Sequence, residues 1–568
     1  MTNKALARTL RLAGELLELA GENEFRARAF SSAGRAVEMS EENVAALAES
    51  GQADQVQGIG ATIAAEIKGL AETGRLEALD RALAALPAGL PDLLGIKGLG
   101  VKKVRTLWQE LGVTTLDALE AAATSGAVAS LPGFGKKTAE NVLAEVDRVR
   151  MSVGKLRYSD ALDLAEPFLT ALGMASGVDR VELAGDLRRQ LEVVDRIEVV
   201  VAGDAEALRA ALRAQGIRPV DAADVTAFAV GRHPDGPLVV AHLAPAGAFG
   251  RALWAATGDE AHVTAFVDRY GVPGNTNDET VVYTAAGLDP VPPALREGDA
   301  WLDAAEKHDL PRLITVEDLR GTLHNHSTWS DGAHSLREMA DAARNRGLEY
   351  FAICDHSKST TIANGLTVDR LRAQADEVRK MNEQFAAEGT DFRILHGSEC
   401  DILGDGEMDF PDDVLADLDF VVASIHSRFK MTEDEATRRL LRAAENPFVD
   451  VMGHLTGRQL LRRSGYPVDH AAIIAACAAN GTSIEVNANP YRLDIDWRHV
   501  RPALEAGVWI SINPDAHSTS ELDLVRWGVA VAQKGGLTAG RCLNAMGLPE
   551  LRAWLATRRE RAGVTSAA

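Results

Sequence analysis

Six histidines and three carboxylates stand at the ends of short apolar segments between residues 321 and 517. GTLHNHSTWSDG sets His324 and His326 two residues apart, so on a strand both face the same way, and Asp331 follows in the loop. YFAICDHS ends on His356, LHGSECDI carries Glu399, ASIHSRF carries His426, and VMGHLTGR carries His454. INPDAHS supplies Asp515 and His517, again two apart. Imidazoles mixed with carboxylates suit zinc, manganese or iron better than calcium. The donors are too many for one tetrahedral ion and fit two or three ions that share bridging carboxylates. A lone histidine at a strand end is usually structural, but so many at successive strand ends are not independent accidents. Clustered divalent ions acidify a bound water and clamp the oxygens of a phosphoester during in-line displacement. Lys358, Arg428, Arg458 and Arg492 follow these segments and are candidates to hold a phosphate chain; solvated loop charge is the competing reading for each. Asp355 reads as a partner to the ligands rather than a ligand, and Cys354 and Cys400 as core thiols.

The elements that must position these residues follow from the pattern. From about residue 320, apolar strands recur with helical stretches between them, and each strand ends in a polar cluster. That is a repeated βα unit, most simply a barrel of about seven parallel strands with its site at the C-terminal strand ends. Residues 151 to 310 mix strands (RVELAG, RIEVVVAGD, PLVVAHLA, TVVYTAA) with helices and end near a Pro-rich loop, PVPPALREG. Residues 1 to about 150 read as short helices of near-3.6 apolar period.

Within that helical region a local pattern recurs: QGIGATIAAEI, GIKGLGVKKVRTL and LPGFGKKTAENVL. Each is a glycine turn followed by a helix start, at Gly58 and Gly60, Gly98 and Gly100, and Gly133 and Gly135. Such a turn aims backbone amides and a helix dipole outward, enough to seat one DNA phosphate. Lys102, Lys103, Lys136 and Lys137 follow two of them. The net charge of −22 argues against a simple basic nucleic-acid binder, but amide-mediated phosphate binding needs no net positive charge. Four scattered cysteines form no C-x-x-C pair and fit a reducing cytosol, and no apolar run is long enough to span a membrane. A length of 568 residues implies three to five domains.

Segment 320 to 520 resembles the PHP (polymerase and histidinol phosphatase) domain, whose HxH, Asp, DH, GxE, SxH, GH and DAH motifs all have counterparts here. The resemblance implies a trinuclear metal cluster at His324, His326, Asp331, His356, Glu399, His426, His454, Asp515 and His517, with phosphoester hydrolysis as its chemistry. Manganese is the expected ion, mainly on this resemblance, with zinc or iron as alternatives. The glycine turns resemble helix-hairpin-helix motifs, which grip DNA backbones without reading sequence. The order of these regions makes the whole chain resemble bacterial family X DNA polymerases.

That resemblance implies a multidomain fold: an all-α helix-hairpin-helix N-terminal part, an α+β nucleotidyltransferase-like palm and thumb, and a C-terminal α/β distorted (β/α)7 PHP barrel. The expected domains are 1–80 (8-kDa-like, DNA-binding), 81–150 (fingers-like, two hairpins), 151–235 (palm), 236–305 (thumb), 306–319 (linker) and 320–568 (PHP). The family's Gly-Ser-x-Arg-Arg motif is met by Gly185, Arg188 and Arg189, with Asp186 at the serine, and its Thr-Gly-Ser by Thr257, Gly258 and Asp259. In GDLRRQLEVVDRIEVVV, however, the Asp-x-Asp pair becomes Arg196-Ile197-Glu198, and Val240 takes the third aspartate's place. Asp195 and Glu198 point to opposite faces of a strand, so Mg2+ or Mn2+ binding in the palm would require a bulge or shifted register. Glu66 stands where eukaryotic relatives carry a lyase lysine, and nearby Lys68 reads as surface charge. The expected function is a DNA-repair enzyme. Its PHP domain acts as a metal-dependent 3′-5′ exonuclease or phosphodiesterase on gapped or damaged DNA, beside a degenerate polymerase site, and the chain binds gapped, nicked or primer-template DNA without reading sequence. The alternatives are an active gap-filling polymerase that uses deoxynucleotides, a small-molecule phosphatase of the histidinol-phosphate type, and a non-catalytic DNA scaffold. A monomeric, cytoplasmic, nucleoid-associated protein is expected.

Overall fold

A computed structural model describes residues 3–40, 42–73, 76–214, 218–219, 229–232, 237–245 and 247–561. The chain forms two compact units. The first comprises residues 1–156, 161–184 and 194–252; the second comprises 157–160, 185–193 and 253–568. The expected palm–thumb border at 235–236 lies outside the described residues.

Among the described residues, the first unit begins with ten α-helices, from Asn3–Leu19 to Lys136–Ser152, around one apolar core. Leu6, Leu10, Leu16, Phe30 and Val37 are fully buried at helical spacing. A five-stranded sheet follows, in the order Val178–Ala184, Arg196–Gly203, Leu238–Leu243, Ala229–Arg232, Arg218–Pro219. The first two strands are antiparallel and pair Ala184 with Glu198; the second and third are parallel and pair Glu198 with Val240.

The second unit contains the barrel. Its strands, in both chain and spatial order, are β1 (Gly321–Thr322), β2 (Tyr350–Ile353), β3 (Arg393–Asp401), β4 (Phe420–Ser424), β5 (Val451–Met452), β6 (Ser483–Asn487) and β7 (Ile510–Asn513). All neighbours are parallel, as the repeated strand–helix pattern requires. The strands are buried on both faces, and their near-continuous apolar composition follows from that. A parallel bridge between Asn325 and Ala516, with the His326 amide donating to the Ala516 carbonyl at 2.8 Å, brings the two edges of the sheet together. The sheet is therefore a nearly closed barrel. Gly397 in β3 allows this closeness, because a Cβ there would sit 2.4 Å from the Phe420 carbonyl oxygen of β4.

A smaller apolar core in this unit gathers Trp254, Phe266, Tyr283, Leu288 and Leu302. At its edge His262 is fully buried, with Nδ1 2.9 Å from the Gly298 carbonyl and Nε2 2.9 Å from the Tyr283 hydroxyl. Burial pushes its pKa down to about 4. The folded chain therefore keeps a neutral ring where the unfolded chain, titrating near 6.5, takes up a proton. The stability this ring contributes is intact above pH 6.5 and is lost as pH falls toward 4, by roughly 3 kcal/mol at full effect. The melting midpoint of the native chain should fall between pH 7 and 4.5 more steeply than that of H262Q, and equal slopes would exclude His262 as the cause.

Candidate metal centre

The loops at the C-terminal ends of the barrel strands bring all nine predicted donors together. Glu399, at the end of β3, lies at the middle. Its Oε2 is 2.9 Å from His356 Nδ1, 3.3 Å from His324 Nε2 and 3.6 Å from His326 Nε2. Its Oε1 is 2.9 Å from His454 Nε2 and 3.2 Å from His426 Nε2. Asp515 Oδ1 lies 3.2 Å from His326 Nε2 and 3.7 Å from His324 Nε2. Asp331 Oδ1 lies 3.5 Å from His517 Nε2 and 3.6 Å from His356 Nε2. Three overlapping groups have the spacing to hold an ion: His326, Asp331, His356 and His517; His324, His326 and Asp515; and His356, Glu399 and His426.

Hydrogen bonding does not account for this cluster. Both oxygens of Glu399, both ring nitrogens of His326 and His454, Nε2 of His324 and Nδ1 of His356 are buried with no hydrogen-bond partner. Two donors bound to one ion at about 2.1 Å each lie about 3.0–3.4 Å apart, and the pairs here, at 2.9 to 3.7 Å, bracket that spacing. Burial disfavours charge on Glu399 and Asp515, yet the surrounding imidazoles hold both carboxyls well below the usual range. Burial and the neighbouring His517 and His356 push His326 down to about 3, which leaves the neutral ring that ligates metals. His454 and Asp515 adopt positive φ, +23° and +52°, a strained backbone typical of residues fixed by function. The donor set thus fits divalent metal ions.

Glu485, in the middle of β6, escaped the sequence reading. Its Oε1 accepts from His324 Nδ1 at 2.7 Å and Asn513 Nδ2 at 3.0 Å, and its Oε2 accepts from the His454 amide at 2.7 Å and Asn487 Nδ2 at 3.2 Å. One buried carboxylate therefore fixes two of the donors and turns His324 Nε2 toward the cluster. Asp401 does the same for His426, whose Nδ1 lies 3.2 Å from its Oδ1. Asp355 accepts from the Ser327 amide at 2.8 Å and Gln374 at 2.6 Å, and so braces the loop that carries Asp331.

The four candidate phosphate cations separate. Arg458 is engaged, with Asp496 at 2.6 Å and the carbonyls of Arg492 and Leu493. Arg492 faces the cluster, its Nε 3.5 Å from Asp515 Oδ2. Lys358 and Arg428 are exposed. All four cysteines are buried and unpaired.

The palm residues divide between the units. In the first, Glu198 is 3.0 Å from His242 on the neighbouring strand, and Val240 is its strand partner. Asp195 lies in the bend before the strand, paired with Arg196 at 2.8 Å. Among the described residues no metal-competent group of His, Cys, Asp and Glu occurs there. In the second unit Gly185, Arg188, Arg189, Thr257 and Gly258 come together around ion pairs. Arg188 bonds to Glu279 and to the Thr257 hydroxyl, and Arg296 holds the same glutamate at 2.8 Å. Arg189 is held by Asp186 at 2.5 Å and by Glu297 at 2.9 Å. Asp259 caps the helix Glu260–Tyr270 through the His262 amide.

In the hairpins Gly58, Gly98 and Gly133 have φ of +98°, +90° and +81°, conformations that only glycine adopts freely. Gly100 and Gly135 cap the helices Val101–Leu111 and Lys136–Ser152 with no side-chain cap, which leaves the first amides open. Lys102, Lys136 and Lys137 are exposed, while Lys103 Nζ bonds back to the Gly98 carbonyl at 3.0 Å. After the first hairpin, Glu66 accepts from the Ala78 amide.

Comparison with known proteins accords with both the hairpins and the barrel. Residues 1–76 match the helix-hairpin-helix domain, residues 90–148 the SAM-like helix-hairpin-helix tandem, and residues 322–488 the PHP domain. Hairpins joined to a PHP barrel define a DNA-handling protein with a phosphoesterase-type domain. The chain is 35% identical to the DNA polymerase/3′-5′ exonuclease PolX of Bacillus subtilis, over 98% of this chain and 99% of that protein. It belongs to the PolX family, the bacterial family X DNA polymerases. Similarity to a probable phosphatase of Thermoanaerobacter sp. (28% identical) covers 39% of this chain and 88% of that protein. For a probable phosphatase of Acetivibrio thermocellus (31%) the shares are 30% and 65%.

Substituting Glu485 by glutamine places an amide against two N–H donors. Divalent-metal affinity, measured by titration with metal analysis of the folded protein, should fall about ten- to a hundredfold; unchanged affinity would remove Glu485 from the centre. In K102A/K136A/K137A, gapped-DNA binding should weaken and the slope of log affinity against log salt should fall by about 0.9 per lost contact. An unchanged slope would mean that these lysines touch no phosphate.

Proposed function

We propose that this chain is a DNA-repair nuclease built on a family X polymerase framework. In this reading His324, His326, Asp331, His356, Glu399, His426, His454, Asp515 and His517 hold two or three manganese ions, and the PHP domain removes nucleotides from 3′ ends. The observation that carries it is the set of buried, unpartnered imidazole and carboxylate atoms gathered around Glu399. When bound, such ions supply Lewis acidity to the phosphodiester and to the attacking water. The chain's own contribution is placement. Glu399 spans two groups of donors, Glu485 and Asp401 orient imidazoles, and Arg492 stands where a non-bridging phosphate oxygen would arrive. Asp331 and His517, about a third exposed, form the open side by which substrate enters.

The hairpins hold gapped, nicked or primer-template DNA through amides and lysines, and the domain borders follow the family order given above. A small-molecule phosphatase needs no such arm, and the probable phosphatases align with only part of the chain. The palm serves as structure in this reading. Glu198 is bonded to His242, and Val240 offers no ligand. A second reading, template-directed gap filling, is favoured by the name of the Bacillus relative. We take the protein to act as a cytoplasmic monomer.

The test is incubation with manganese and a 5′-labelled primer on gapped template, with and without the four deoxynucleotides. Shortening should occur in both and fall at least a hundredfold in H326A, while DNA binding persists. Nucleotide-dependent extension that survives in H326A would instead establish an active palm.

A further inference from the structure

The chain carries a net charge of −22, and most arginines of the second unit are paired: Arg337 with Asp341, Arg344 with Glu388, Arg346 with Asp523, Arg458 with Asp496. Arg428, Lys430, Arg462 and Arg463 differ. Among the described residues none of them has a carboxylate within 4.0 Å. All four lie in loops that follow metal-site histidines, His426 and His454.

They are also linked in space. The Arg463 guanidinium lies 4.3 Å over the Phe429 ring, between Arg428 and Lys430 in sequence, and Phe429 stacks on Tyr466. Both rings pack against Gly457, three residues past His454. Arg462 lies 4.1 Å over the Tyr491 ring, and the next residue, Arg492, reaches Asp515 at 3.5 Å. Arg463 and Arg492 are close enough to repel, and Arg463's pKa is lowered by burial and then by Arg492. Arg463 also donates to the Gly457 carbonyl at 3.1 and 2.8 Å, but it and Arg492 are like charges held together, so an anion that bridges them gains more than one meeting scattered surface charge. Lys430 and Arg462 are exposed, and Arg492 lies at the cluster.

We propose that Arg428, Lys430, Arg462 and Arg463, with Arg492 at the inner end, form a track that takes the phosphates of a single DNA strand and leads its 3′ end to the metal centre. The proposal rests on the nuclease reading above and names its substrate form. A single strand is favoured because the donors lie deep, with His324 and His326 fully buried and Glu399 1% exposed. An intact duplex end meets the collar of loops first, whereas an unpaired strand can descend past it. Tyr466 is buried and the Tyr491 ring lies between Arg157 and Arg462, at 3.5 and 4.1 Å, so the rings brace the cations and the track holds the strand by its phosphates.

The test uses the full chain with two probes: 5′-fluorescein-(dT)12, and the p-nitrophenyl ester of thymidine 5′-monophosphate, which needs the centre but no track. In K430E/R462E, with its melting midpoint checked against the native chain, kcat/KM for the oligonucleotide with manganese should fall at least tenfold further than for the ester. Binding of (dT)12, read by anisotropy across salt concentrations, should lose about 0.7 in slope for each phosphate contact removed. An unchanged slope, or equal losses on both probes, overturns the track. If the native chain cleaves neither probe but the slopes differ, the track stands and the nuclease reading fails.

Discussion

The second unit is organised around one unfavourable placement: the carboxylate of Glu399, 1% exposed, among five imidazoles and with no hydrogen bond to either oxygen. A buried carboxylate is costly; protonated imidazoles around it hold its pKa down, but an imidazole that offers its lone pair to a metal cannot do so. Cations do. The same placement explains why the barrel carries so much fixed polar structure at one end. Glu485 bonds four N–H groups, Asp401 fixes His426, and Asp355 ties down the loop that presents Asp331. Each is a buried charge satisfied by the protein, so the donors themselves are left for metal.

The fold supplies the positions. Parallel strands buried on both faces end together, and each end delivers one or two side chains to a common point. Closure through Asn325 and Ala516 brings His326 and Asp515 together from opposite edges of the sheet, which no interior pairing does. Gly332 matters in a similar way on a local scale. A Cβ there would lie 2.7 Å from the Ser327 backbone, so the loop turns back tightly behind Asp331.

Much of this was legible in the sequence, for a physical reason. Every donor except Asp331, which follows in a loop, lies at or just past the end of an apolar strand, so strand pattern and residue type coincide at one place. The hairpins were legible because a left-handed turn followed by an uncapped helix start demands glycine at fixed offsets. Glu485 was not, because it sits inside IEVN and its partner His324 is 161 residues away; nothing local separates it from an ordinary strand residue. The arginines show the same limit. Arg458 and Arg492 follow their motifs equally well, but only the folded chain reveals that one is bound to Asp496 and carbonyls while the other faces Asp515. His242 reads as an unremarkable strand residue until the parallel register sets it beside Glu198.

The palm raises a different question: what holds its Gly-x-x-Arg-Arg segment in place. Arg188 and Arg189 have work that needs no nucleotide. Arg188 and Arg296 share Glu279, whose carboxyl is held down to about 2 despite burial, and Arg189 shares Glu297 with the buried Lys534 of the helix Val525–Lys534, which packs on the barrel. Lys534 Nζ also donates to the Arg189 carbonyl at 2.8 Å. Removing any one of these charges strands its partners in a low-dielectric setting, and that penalty is larger than the net worth of the pairs. The loop is thus fixed to the barrel-bearing unit by ion pairs and hydrogen bonds that involve no nucleotide.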